Sequence, residues 1–164
     1  MSAAPVRAYV AFGANLGDPL AMLEYAVQAL DALPDTRVVA RSSCYRSAPQ
    51  GVPDTQPDYV NAVLALDTAL APQALLDALL AIEAAGGRQR EKPLAARPID
   101  LDLLLYGDAT LATPTLTLPH PRLHQRAFVL VPLAEIAPDA VVPGIGAVTA
   151  MLEKVRDQHI ARIA

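Results

Sequence analysis

Apolar residues recur at changing intervals along the chain, and each change of interval marks a new element. Ala8–Phe12 (AYVAF) is a short apolar run of the kind that forms a buried strand, and it stops at Gly13. Beyond the segment GANLGDP, Asp18 offers a helix N-cap and Pro19 the first helical position. Leu20, Leu23, Val27 and Leu30 then repeat at three- and four-residue spacing, which predicts an amphipathic helix to about Leu33, ended by Pro34–Asp35. Thr36–Arg46 predicts one strand. The stretch 47–58 (SAPQGVPDTQPD), with three Pro and a Gly, predicts a long loop, and long irregular loops in compact domains tend to be functional. Tyr59–Leu70 predicts a strand with Tyr59, Asn61, Val63 and Ala65 on one face. Pro72 opens a second helix, with Leu75, Leu76, Leu79, Ile82 and Glu83 on or beside one stripe and Gly86–Gly87 as its stop. A basic loop (RQREKPLAAR) leads into the strand Ile99–Tyr106. Residues 109–125 are rich in Thr and Pro, with room for one short strand, and Arg126–Ala134 and Ala147–Val155 read as short helices.

The order strand, helix, strand, strand, helix, strand is that of an α+β, ferredoxin-like (split βαβ) fold, a mostly antiparallel sheet with helices on one face. Elements at the C-terminus are extra to it. With no internal repeat and no linker, residues 1–164 are expected to form a single domain.

Composition narrows the chemistry. An apolar fraction of 53% argues against disorder, and an aromatic fraction of 4% with no Trp means a core of Leu, Val, Ile and Ala. Cys44 is the only cysteine, so no disulfide or Cys-based zinc site can form within the chain, and it reads as a buried small hydrophobe. No apolar stretch reaches membrane-spanning length and no signal-peptide pattern is present, so the cytoplasm is the expected compartment. The net charge of −4 disfavours nucleic-acid binding. The charge is uneven, however. Residues 1–87 carry four Arg against nine acids, whereas residues 88–126 carry six Lys/Arg against four acids. A solvated basic loop and a polyphosphate pocket fit that reversal equally.

Asp100-Leu101-Asp102 is the sharpest feature. On a strand, side chains two apart share a face, so both carboxylates point one way and Leu101 the other. Two hard oxygen ligands with an incomplete set suit Mg²⁺, whose remaining positions go to water and substrate phosphates. An exposed sheet face with both acids in water has the same spacing. Arg88, Arg90, Lys92 and Arg97 precede the pair, and His120, Arg122, His124 and Arg126 follow it. Arg forks match phosphate oxygens, so a nucleoside triphosphate with metal is the chemistry expected. There is no GxxxxGK[ST], which excludes a P-loop kinase. Tyr59, Asn61 and Phe128 could hold a flat heteroaromatic by stacking and amide hydrogen bonds, or the two rings could be ordinary core aromatics.

In order and spacing, FGANLGDP, YRSAPQG, QPDYVNAVLAL, GRQR, RPIDLDLLLYG and LPHPRLHQRAFVLVPLAEIAPD resemble the 6-hydroxymethyl-7,8-dihydropterin pyrophosphokinases of folate biosynthesis, from about Ala8 to Leu152. The resemblance implies transfer of pyrophosphate from ATP to the pterin hydroxymethyl group, giving the pterin diphosphate and AMP. It implies that Asp100 and Asp102 bind two Mg²⁺ ions, with Arg90 and Arg97 also catalytic. Glu83, Arg88, Arg90, Arg97, Leu103 (through its backbone), His120 and Arg126 would contact ATP, and Lys92 would join them as a point cation in place of an arginine that the family carries there and this chain lacks. Ser47, Pro49, Gln50, Tyr59, Asn61 and Phe128 would hold the pterin, between the Tyr59 and Phe128 rings. Partners would be these small molecules alone, with no nucleic acid, no membrane and a monomeric chain. Two features depart from the family pattern. Many members carry Arg-Trp-Gly-Pro-Arg where this chain has 92–97 (KPLAAR), and Gln50 stands where an apolar residue is common.

Overall fold

The computed structural model describes residues 4–15, 17–48, 58–87 and 99–163. In chain order its elements are β1 (Val6–Ala14), α1 (Pro19–Asp31), β2 (Thr36–Arg41), β3 (Tyr45–Ser47), β4 (Tyr59–Thr68), α2 (Pro72–Ala85) and β5 (Asp100–Tyr106). There follow β6 (Leu111–Ala112), β7 (Thr117–Leu118), α3 (Ala127–Ile136), β8 (Val141–Val142), β9 (Gly146–Ala147), α4 (Val148–Leu152) and β10 (Ala161–Arg162), with 3₁₀ turns at Leu123–Gln125 and Glu153–Val155.

Among the described residues, six strands make one antiparallel sheet in the order β10-β3-β4-β1-β5, with β2 also paired to β4. This is the ferredoxin-like arrangement the element order predicts. Each central strand is buried on both faces. On one face Val10, Phe12, Leu64, Leu66, Leu101 and Leu103 pack with Leu23 and Leu30 of α1 and Leu75 and Leu79 of α2. On the other, Ala11, Val63, Leu104 and Leu105 pack with Val129, Leu130 and Leu133 of α3 and Val148 and Met151 of α4. Helices therefore cover both faces, not one, because the C-terminal elements close over the second.

Local chemistry explains the boundaries. Asp18 caps α1, its carboxylate accepting from the Ala21 N–H at 3.1 Å, with Pro19 at the first turn as expected. β1 does not stop at Gly13 but runs through it to Ala14, since its ladder to β4 continues to the Ala14–Val60 pair. The single strand predicted over Thr36–Arg46 is two. At the break, Ser42 Oγ accepts the Val63 N–H at 2.9 Å, and the Ser43 N–H turns to a carboxylate, that of Glu135. Serine side chains compete in this way with the backbone ladder. Residues 109–125 hold a hairpin of two short strands, β6 and β7, where one was expected. The helix predicted over Ala147–Val155 is a five-residue α4 continued by a 3₁₀ turn, and β10 had no counterpart in the sequence reading. Cys44 is buried, and burial pushes its thiol up.

Candidate active site

Directly paired residues in an antiparallel ladder present their side chains on the same face. Tyr45 pairs with Asn61, Asn61 with Gly13, and Gly13 with Asp100, so one transverse row crosses β3, β4, β1 and β5. On either side of it run Ser47–Tyr59 and Val63–Ala11–Asp102. Strand spacing puts the backbones of Asn61 and Asp100 about 10 Å apart. Between them is a glycine. A Cβ at position 13 would meet Asn61 Oδ1 at 3.5 Å and the Tyr59 ring at 3.9 Å, so the missing side chain leaves open floor between amide and carboxylates.

At the β3–β4 end, Asn61 is 4% exposed. Its amide nitrogen donates to Ser47 Oγ at 2.8 Å and, at 3.4 Å, to the Tyr45 carbonyl. Those bonds turn Oδ1 toward Gly13 as an acceptor. Phe128, on the first turn of α3, packs on the same face of the sheet, and the Arg126 guanidinium lies 5.4 Å from its ring centroid. The structure thus joins a predicted phosphate ligand to a predicted pterin aromatic.

At the β5 end, Asp100 and Asp102 are half-buried and share the face of Ala11 and Gly13, while Leu101 and Leu103 enter the opposite core. Glu83 of α2 is 1% exposed, and its Oε2 accepts the Leu101 N–H at 2.7 Å. A buried carboxylate therefore grips the edge strand by the peptide between the two aspartates. By the alternation of a strand, the Leu103 backbone groups point to the same outer edge as the Leu101 N–H.

His120 reaches the site because its N–H donates to the Leu104 carbonyl at 2.9 Å. Its Nδ1 accepts from the Arg122 N–H at 3.2 Å, which leaves the neutral ring's proton on Nε2. Burial, then the Arg126 charge, lower the pKa of His120, Asp100 works the other way, and Arg122 adds to the lowering. His120 is thus set to donate a hydrogen bond while uncharged. Pro49, Gln50, Arg88, Arg90, Lys92 and Arg97, with the departure in 92–97, lie outside the described residues.

The carboxylate pair fits a divalent cation. Both are hard oxygen donors on one face, and among the described residues no group of three or more His, Cys, Asp or Glu surrounds a common point. A cation held here would complete its shell from water and substrate oxygens, as Mg²⁺ does. A separate cavity of about 600 Å³ opens beside α1 and the β2–β3 break, lined by Asp18, Leu23, Glu24, Arg41 and Cys44, and holds none of the predicted site residues.

Sequence reasoning passed over Gly13 and Glu135. Gly13 read as a strand end, and only its register with Asn61 and Asp100 shows its place. Glu135 stands seven residues after Phe128, two helical turns on and so on the same side of α3, a spacing visible beforehand.

Solved structures share this fold. An HPPK-DHPS protein in complex with substrates aligns over 93% of this chain with a TM-score of 0.76 at 13% identity, and the chain spans 43% of that longer one. A Plasmodium falciparum HPPK-DHPS with pteroate aligns over 92%, with a TM-score of 0.74, at 12% identity, and the chain spans 44% of it. The class is therefore an α+β, ferredoxin-like protein with a carboxylate pair on the sheet face. Closer relatives narrow it. Proteins of Methylorubrum extorquens (52% identical over 139 residues, covering 84% of this chain and 87% of the relative) and Haemophilus influenzae (42% over 158, covering 96% and 98%) are both named 2-amino-4-hydroxy-6-hydroxymethyldihydropteridine pyrophosphokinase. The model of the 7,8-dihydro-6-hydroxymethylpterin-pyrophosphokinase (HPPK) family matches residues 9–138. This chain belongs to that family.

Proposed function

We propose that residues 1–164 act as one pyrophosphokinase domain that transfers the β,γ-pyrophosphoryl group of ATP to the hydroxymethyl oxygen of 6-hydroxymethyl-7,8-dihydropterin. The oxygen forms a bond to the β-phosphorus, the bond from that phosphorus to the α,β-bridging oxygen breaks, AMP departs with that oxygen, and the hydroxyl proton passes to solvent water. The observation that carries this reading is the row Asn61–Gly13–Asp100, which sets an amide and a carboxylate pair on one face with open floor between them.

In this reading the pterin lies over Gly13 between the Tyr59 and Phe128 rings, its edge read by Asn61 Oδ1, Ser47 and the backbone of the loop with Pro49 and Gln50. Arg126 and the His120 Nε2–H donate to phosphate oxygens, and Arg88, Arg90, Lys92 and Arg97 are assigned to the same phosphates from the sequence. Leu103 offers its outward backbone to the adenine. Asp100 and Asp102 hold two Mg²⁺ ions, which when bound neutralise charge on the phosphates and acidify the attacking hydroxyl. Glu83, assigned by the resemblance to the nucleotide, serves the site through its hold on Leu101. The protein's share of catalysis is positioning the two substrates in line, the contribution that dominates phosphoryl-type transfer.

The two ends of the row separate experimentally. Asp102→Ala should lower turnover by at least about 10²-fold, the scale of losing one preorganised electrostatic group, while pterin binding by titration calorimetry survives. Asn61→Ala should weaken pterin binding and leave nucleotide binding intact. If Asp102→Ala keeps a near-normal rate, the metal assignment is wrong.

A further inference from the structure

Apolar packing of Val129, Leu130 and Leu133 holds α3 onto the sheet, but burial is non-directional and fixes depth better than lateral position. Directional bonds sit at both ends of the helix. At the C-terminal end, the Glu135 carboxylate accepts from three donors, two on Ser43 in the β2–β3 connection and one on Tyr45 at the start of β3. The Ser43 N–H reaches its two oxygens at 3.1 and 3.0 Å, the Ser43 hydroxyl donates at 2.9 Å and the Tyr45 hydroxyl at 2.6 Å. At the N-terminal end, α3 has no side-chain cap from its own N-cap residue, Arg126. Gln158 supplies one from afar. Its Oε1 accepts the Ala127 N–H at 2.9 Å, and its Nε2 donates to the Gln125 carbonyl at 2.8 Å.

The two braces end on the same strand. Beyond Gln158 the chain forms β10, which pairs Ala161 with Arg46 and Arg162 with Tyr45, and the Ile163 N–H donates to the Cys44 carbonyl at 2.9 Å. A closed circuit results, from the first turn of α3 through Gln158 and β10 to β3, and from β3 through Glu135 to the last turn of α3. β3 in turn fixes β4 at the residues of interest, since Tyr45 pairs with Asn61, Ser47 with Tyr59, and Asn61 donates to Ser47.

We propose that Glu135 is a positioning residue that sets the distance between Phe128 on α3 and the Ser47–Tyr59–Asn61 wall, with Gln158 fixing the other end of the helix. The pterin slot takes its width from these braces and not from the hydrophobic core alone. A carboxylate suits the task because every group facing it is a donor, so two acceptor oxygens satisfy all three at once. Removing it leaves a backbone N–H and two hydroxyls with their shared acceptor gone, and α3 is then free to shift along β3. This rests on the pterin assignment of the preceding section, and the two are tested separately.

The experiment measures KM for 6-hydroxymethyl-7,8-dihydropterin and for ATP, with thermal midpoints on the same samples, for the wild type, Glu135→Ala, Glu135→Gln, Tyr45→Phe and Gln158→Ala. Expected is a pterin KM raised about tenfold or more in Glu135→Ala and less in Tyr45→Phe and Gln158→Ala, with KM for ATP rising by a smaller factor through Arg126, which adjoins α3. Glu135→Gln, which keeps one acceptor oxygen, should recover part of the loss. Should Glu135→Ala fail to fold, Tyr45→Phe and Gln158→Ala carry the same comparison. Variants that lose thermal stability while the ratio of the two KM values stays put overturn the proposal. A wild type that transfers nothing to the pterin overturns the functional reading instead.

Discussion

A single missing side chain decides what the centre of the sheet can hold. Gly13 stands in register with Asn61 on one side and Asp100 on the other, and a Cβ there would meet its neighbours only at ordinary contact distances. Gly13→Ala should therefore fold with a nearly unchanged melting temperature yet lose pterin affinity by about tenfold or more, the effect of one methyl forced into a filled slot. Calorimetric titration checks it, and unaltered affinity would remove Gly13 from the floor of the site. The aspartates were legible beforehand because strand geometry alone places residues two apart on one face. Gly13 was not, because its meaning lies in cross-strand register, which one strand's sequence does not carry.

Elements were readable where their signals are local. The Asp18–Pro19 start of α1, the apolar stripe of α2 and the β5 strand all stand as expected. Errors fall where a distant group intervenes. β2 and β3 are separate because Glu135, more than ninety residues on, draws away the Ser43 N–H, and β10 exists because β3 offers it an edge. Glu83 is a further long-range case. Truncating it leaves the buried Leu101 N–H without this acceptor, a loss of about 1–3 kcal/mol. Glu83→Ala should thus unfold at lower urea concentration and also turn over more slowly, since the displaced peptide lies between Asp100 and Asp102. A variant of wild-type stability and rate would show that this bond does not position β5.

At the scale of the whole molecule, the link between α3 and the sheet carries a pH signature. Burial pushes the Tyr45 hydroxyl up to about 12, helped by its hydrogen bond to Glu135 and that group's charge and opposed by Arg162. Burial alone would raise Glu135, but the bonds from Tyr45 and from the Ser43 N–H and hydroxyl, with Arg162, outweigh it and hold its carboxyl below the usual range. A phenol raised in the folded state contributes stability that is present below its ordinary value of 10 and lost as pH climbs through 12. A lowered carboxyl contributes stability that is present above its ordinary 4.5 and lost as pH falls through its folded value. The stability gap between wild type and Tyr45→Phe should therefore narrow between pH 10 and 12, and that between wild type and Glu135→Gln should narrow below pH 4.5. Chemical unfolding across those ranges measures both, and gaps that stay constant would contradict the linkage.

The activity that sets this protein apart from an ordinary kinase is transfer of a pyrophosphoryl group, not a single phosphoryl group, to the pterin. Phosphorus NMR of the protein incubated with ATP, Mg²⁺ and 6-hydroxymethyl-7,8-dihydropterin reads the products directly. Equal amounts of AMP and a pterin diphosphate are expected. ADP with a pterin monophosphate, or no pterin-dependent loss of ATP, would contradict it.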